Sequence, residues 1–183
     1  YHHIGRIAGR PFYEHHIVAS NLRMTEWQGA IALAQLSRLP EQNLNRMRNF
    51  RHLEAGLREI PGVEPIEWDE NVVTRRGCYF YHFKFKSDQF AGLPRAKFVE
   101  AMGAEGLGIG SGHLHPIQKN PLFTNRNFGP VCWPEGCEPP DYAAVDTPVA
   151  DRVLAEEGCS LGHSVFLGHA SDMDLILAAI RPV

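Results

Sequence analysis

Ten histidines, four cysteines and a run of alternating glycines are the features of this 183-residue chain that could carry chemistry. Cys78, Cys132, Cys137 and Cys159 include no pair at the C-x-x-C spacing of a zinc knuckle or redox motif. Cys132 and Cys137 bracket a Trp-Pro-Glu-Gly turn and could close a small disulfide loop, although four free thiols in a reducing compartment are the plainer expectation. His113, His115, Cys132 and Cys137 could form a metal site only with irregular spacing, unlike the closed four-ligand zinc pattern. Gly106, Gly108, Gly110 and Gly112 alternate with Leu107, Ile109 and Ser111. An extended segment there has a side-chain-free face that another backbone or a ligand can approach. It is no phosphate loop, because no Gly-Lys-Ser/Thr follows and no helix start is signalled after Gly112.

Composition narrows the classes. The formal charge is -3 and 44% of the residues are hydrophobic, enough for one core, or for one domain with part of another. Binding to nucleic acid needs a basic excess that is absent. No run of about 18 apolar residues offers a bilayer span, and no charged segment followed by an apolar one opens the chain. A cytoplasmic protein is expected. The chain opens on Tyr1-His2-His3-Ile4-Gly5, which reads like the middle of a loop and suggests a piece of something longer.

The elements that must position these residues follow from periodicity. Residues 1–20 read as loop and edge. Thr25-Glu26-Trp27-Gln28 fits a capping box, and Gly29 to Leu36 is apolar except for Gln35, so a helix buried on nearly every side is expected between two layers or two subunits. Pro40 should break that helix and start a second. Leu44, Met47, Phe50, Leu53, Leu57 and Ile60 then form one apolar stripe, with Arg46, Arg48, Arg51, Glu54 and Arg58 mostly toward water. Pro61-Gly62 stops it. Tyr79 to Lys86 alternates as a strand with one dry face holding Tyr81, Phe83 and Phe85. A short helix follows Pro94, residues 116–146 read as a long irregular stretch, and Thr147 could cap a helix from Pro148 to about Glu157. A strand is expected around Ser160–Phe166 and a last helix over Asp172–Ile180. The order implies an α/β or α+β layer arrangement.

Ser20-Asn21-Leu22-Arg23-Met24-Thr25-Glu26-Trp27-Gln28 and the Ala30–Leu36 run after it resemble the G-x-N-x-R-M-T-E-x-Q-A-A-I segment of the DegT/DnrJ/StrS family of PLP-dependent sugar and cyclitol aminotransferases. Tyr13-Glu14-His15-His16 lies upstream. Ile60-Pro61-Gly62-Val63, Gly106-Leu107-Gly108-Ile109, His113-Leu114-His115-Pro116-Ile117 and Asn120-Pro121-Leu122-Phe123 follow in family order. So do Thr147-Pro148-Val149-Ala150-Asp151-Arg152, His163-Ser164-Val165-Phe166-Leu167-Gly168 and Asp172–Ile180. The resemblance implies the C-terminal part of a type I PLP-dependent aminotransferase fold: residues 1–20 as the tail of the large PLP-binding domain, 21–61 as two long interdomain helices, and 62–183 as a small α+β domain. It also implies a homodimer, a missing N-terminal PLP-binding domain, and transfer of an amino group from glutamate or glutamine to a keto sugar or keto cyclitol. A non-catalytic dimerising or ligand-binding module descended from the family is the alternative, and dehydration on the same scaffold a third.

The coenzyme, pyridoxal 5'-phosphate, needs a lysine amine, a carboxylate at the pyridinium nitrogen and donors for the phosphate. The family draws the lysine and the carboxylate from its N-terminal domain. Lys84 and Lys86 fall on the polar side of a strand, Lys97 on a helix and Lys119 in a loop, so none matches the family's Schiff-base segment, and the chain is not expected to bind or use the coenzyme unaided. By the resemblance Asn21 reaches the partner subunit's PLP phosphate, where an amide donor adds no charge, or else merely ends a turn. Arg23 faces phosphate, substrate or a carboxylate in the dimer contact. His113 occupies a position where the family lines its substrate pocket, or is a loop histidine. His163 and Tyr81 are further substrate candidates, with a structural role as the competing reading for each. The family often has a His and an aromatic where this chain has Arg76 and Cys78, which weakens a substrate role for that strand edge.

Overall fold

Thr25 begins the first helix as its sequence predicts. In the computed structural model, which describes residues 24–77, 79–112, 116–126, 136–138 and 140–181, the Thr25 hydroxyl accepts from the Gln28 amide at 3.3 Å. The Gln28 side chain accepts from the Thr25 amide at 2.9 Å. Helix α1 then runs Glu26–Arg58. Pro40 lies inside it, so one helix stands in place of the two expected. The missing N–H and the ring clash cost about 3 kcal/mol. A helix of 33 residues has enough good formers on either side to carry that.

The chain divides into two units, Tyr1–Gln42 and Asn43–Val183. In the first, the described apolar residues of α1 are exposed: Trp27, Ile31, Leu33 and Leu36 all present more than half their surface. The burial expected of this stretch is therefore not supplied here.

The second unit holds the core. Its sheet has the order β1 (Val63–Pro65), β2 (Phe80–Phe85), β3 (Gly158–Gly162), with both pairs antiparallel. On β2 the alternation falls as predicted: Tyr81, Phe83 and Phe85 are buried, and Phe80 and His82 exposed. Phe50, Leu53, Leu57 and Ile60 pack onto that face from the end of α1 and the turn after it. Phe98 and Met102 come from α2 (Arg95–Ala104), and Met173, Ile176, Leu177 and Ile180 from the last helix. Phe50 and Phe166 meet edge to face with centroids 4.4 Å apart. Phe85 and Phe98 stack at 4.5 Å. Each such side chain, fully buried, contributes about 1.5–3 kcal/mol.

Several sequence expectations are corrected. Leu44, assigned to the apolar stripe, is exposed, and Glu54, assigned to water, is buried. The helix from Pro148 is a short α4 (Pro148–Arg152) that relaxes into a π turn over Val153–Glu157, after the one-turn α3 (Pro121–Thr124). Thr147 stands at the N-cap of α4, but its hydroxyl does not cap; it accepts from Gln118 at 2.6 Å instead. β3 ends at Gly162, and a 3-10 turn (Val165–Leu167) leads to α5 (Ala170–Ile180). Gly110 does offer the bare face predicted. It exchanges two 2.8 Å backbone hydrogen bonds with Ser160, and a Cβ there would lie 2.7 Å from the Ser160 hydroxyl.

Candidate functional site

His163 follows β3, where the sheet gives way to the turn before α5. Its backbone N–H donates to Tyr79 O at 3.3 Å, and the Tyr79 ring lies 5.9 Å from the imidazole. α1 fixes this segment from below with two side-chain amides one helical turn apart. Asn45 Nδ2 donates to Leu167 O at 2.9 Å and Gly168 O at 3.1 Å. Asn49 Nδ2 donates to Phe166 O and Gly168 O, each at 3.0 Å. The i, i+4 spacing puts both amides on one helix face, and they satisfy carbonyls that the turn leaves without ladder partners. Between them, Arg46 directs Nη2 at His163 Nδ1, 3.4 Å away, and Nη1 at Asn43 Oδ1, 3.1 Å away. The result is a half-buried histidine and arginine beside an exposed tyrosine, at the end of the sheet.

A second polar cluster lies inside the core. Glu54 Oε1 accepts from Arg76 Nη1 at 2.7 Å, with the two side chains 5% and 15% exposed. The Arg76 guanidinium lies 5.7, 5.3 and 5.4 Å from the rings of Phe50, Trp68 and Tyr81, an arrangement favoured by the negative ring faces. Tyr81 is fully buried. Burial first, then the Glu54 carboxylate, push its phenol above the ordinary 10.0, against the pull of Arg76 and Arg58. Its hydroxyl has no partner of good geometry. Tyr81 therefore belongs to the core, and the substrate role considered for it gives way to its burial.

The sheet's other end is bound by charge. Glu157, buried in the π turn, receives Lys86 at 3.3 Å and Arg152 at 2.9 Å. Burial alone would raise its carboxyl value, but the Lys86 and Arg152 contacts outweigh that and hold it below 4.5. Arg95 Nη1 gathers three carbonyls, Ser111, Leu154 and Gly158, at 3.3, 2.8 and 3.1 Å. A groove of about 460 Å³ beside β1 is lined by Arg58, Glu64, Glu67 and Lys84 among others. Its mixed charges define no single ligand chemistry. Cys137 and Cys159 carry free thiols, and burial pushes the Cys159 thiol up to about 12 despite the charge of Arg95. Among the described residues no group of three His, Cys, Asp or Glu could hold a metal ion. No helix among them is long and apolar enough to cross a membrane.

Asn21, Arg23 and His113 lie outside the described residues. Lys86, Lys97 and Lys119 are engaged with Glu157, Glu100 and Asp151, and Lys84 stands half-buried on β2. No described lysine is both buried and without an ion-pair partner. Arg46 and Glu54 were missed as site and core residues. The apolar stripe alone assigns both to water, and only the Asn45/Asn49 pair on the same face hinted that this face meets protein.

The chain matches the DegT/DnrJ/EryC1/StrS aminotransferase family over residues 1–135 and belongs to that family, one of PLP-dependent aminotransferases. It is 34% identical over 173 residues to the L-glutamine:2-deoxy-scyllo-inosose aminotransferase of Streptoalloteichus tenebrarius, covering 91% of this chain and 39% of that protein. It is 31% identical over 175 residues to the enzyme of the same name from Streptomyces fradiae, covering 91% and 39%. The chain thus spans about two fifths of the length of these relatives. In structure it is similar to 3-amino-5-hydroxybenzoic acid synthase, with TM-score 0.68 and 24% identity, over 98% of this chain and 44% of that one. It is also similar to the aminotransferase from Psychrobacter cryohalolentis, with TM-score 0.67 and 19% identity, over 96% and 42%. The fold is that of part of a PLP-dependent aminotransferase.

Proposed function

We propose that these residues form the C-terminal portion of a cytosolic aminotransferase that moves an amino group from glutamine to a keto cyclitol, with glutamate as the alternative donor and a keto sugar as the alternative acceptor. The observation that carries this is the likeness to two enzymes named for L-glutamine and 2-deoxy-scyllo-inosose, over nine tenths of the chain. In this reading residues 1–20 end the large domain, 21–61 connect it to the small one, and 62–183 form the small domain. Asn21 and Arg23 serve the coenzyme phosphate at a homodimer interface, and His113 and His163 face the substrate. The Schiff-base lysine comes from polypeptide outside these 183 residues. The engagement of three of the four lysines by carboxylates supports that last assignment.

The test compares the 183-residue chain with the longer protein that contains it. The longer protein should show the visible absorbance of bound coenzyme and aminate a keto-inosose with L-glutamine. The chain alone should do neither. A chain that turns yellow with PLP and aminates the acceptor by itself refutes the division of labour. A longer protein that binds no PLP identifies the family's non-catalytic alternative.

A further inference from the structure

Arg46 is a half-buried cation without a carboxylate partner among the described residues. Its Nε is buried and has no acceptor. The acceptors it does meet are Asn43 Oδ1 at 3.1 Å and His163 Nδ1 at 3.4 Å. A guanidinium can only donate and remains protonated throughout the physiological range. An imidazole nitrogen facing it must therefore be the lone-pair nitrogen. That places the proton of the neutral ring on Nε2, which has no partner among the described residues. The ring is held in that orientation by the Tyr79 ring at 5.9 Å and by the turn that Asn45 and Asn49 anchor.

We propose that Arg46 is a positioning residue that fixes the His163 tautomer, with Nδ1 as the accepting nitrogen and the ring proton on Nε2, so that His163 offers a hydrogen-bond donor to an oxygen of the keto acceptor. The proposal rests on the reading of His163 as substrate-facing. It deepens that reading by assigning the imidazole a fixed polarity: a donor at Nε2. Asn43 orients Arg46 in turn.

Two measurements test it separately. In the 183-residue chain with 15N-labelled histidine, long-range NMR correlations should give His163 a protonated Nε2 and a bare Nδ1. Arg46→Met should shift the ring toward a mixture of tautomers, and Arg46→Lys, which keeps a donor, should restore the single form. A proton on Nδ1 in the native chain, or no change of signature in Arg46→Met, overturns the role of Arg46. In the holoenzyme, Arg46→Met should raise KM for the keto acceptor about 10-fold, the equivalent of one lost hydrogen bond, with little change for glutamine. That effect should vanish in a His163→Ala background, because Arg46 acts through the imidazole. If His163→Ala leaves acceptor KM unchanged while the tautomer result holds, the substrate-facing reading fails and the Arg46 assignment stands. An Arg46→Met effect that persists without His163 overturns the coupling.

Discussion

Glu54 shows how one residue can reverse the meaning of a helix face. Its carboxylate is buried against Arg76, and losing one partner of a buried pair leaves the other charged and stranded. Glu54→Gln is therefore expected to cost about 3 kcal/mol or more, read from urea unfolding of the chain. The double variant Glu54→Gln/Arg76→Met should recover most of that; a double-variant loss equal to the sum of the two single losses would show that the pair is not coupled. Glu157 gives the pH dependence. Its folded value is held below 4.5, so the native state favours its ionised form more than the unfolded state does. The stability this confers is fully present above pH 4.5 and lost as pH falls through the folded value. Glu157→Gln should flatten the acid limb of a stability–pH curve, and an unchanged limb would remove Glu157 from that role. Asn21→Ala, in the holoprotein, should weaken coenzyme retention by about 1.5–3 kcal/mol, one charge-assisted hydrogen bond; unchanged affinity would exclude Asn21 from the phosphate site. The candidate site was legible in part. His163 reads as a candidate through its motif, and the structure places it beside Arg46 and Tyr79. Arg46 does not read as one, because a residue's partners across 117 positions leave no local pattern.

At the scale of elements, local chemistry read well where a short-range rule governs. The capping box at Thr25 and the alternation on β2 are both properties of a few consecutive residues. Pro40 and Thr147 read less well, since propensity yields to context: a helix of this length tolerates one proline, and the Thr147 hydroxyl finds Gln118 instead of its own helix. Gly62 offers a test of tight packing. It has φ +84, and an added Cβ would lie 2.5 Å from Gln89 Cβ. Gly92 has φ +79 with nothing within 4 Å. Gly92→Ala should lose only the left-handed backbone penalty, about 1–2 kcal/mol. Gly62→Ala should lose about 1–3 kcal/mol more from overpacking. Equal shifts in thermal midpoint would show that the β1 turn yields to the added carbon.

For the molecule as a whole, the informative surface is the one left uncovered. Trp27, Ile31, Leu33 and Leu36 are 83%, 62%, 70% and 61% exposed, apolar surface spread around the helix of an extent that monomers seldom leave open. The isolated chain should self-associate in sedimentation experiments, and Ile31→Glu with Leu33→Glu should shift it toward monomer. A native chain that stays monomeric at high concentration would mean that this apolar surface does not drive association.

The clasp between α1 and the turn before α5 also sets an order in time. Asn49 waits for Phe166, 117 positions further on, and Gly56 packs where any larger side chain would collide with Leu177. On a ribosome, the first half of this core is made long before the strand and helix that close it. Until the last segment leaves the exit tunnel, Phe50, Leu53 and Leu57 have no lid, and a nascent chain stalled in that interval is the form that chaperones should recognise.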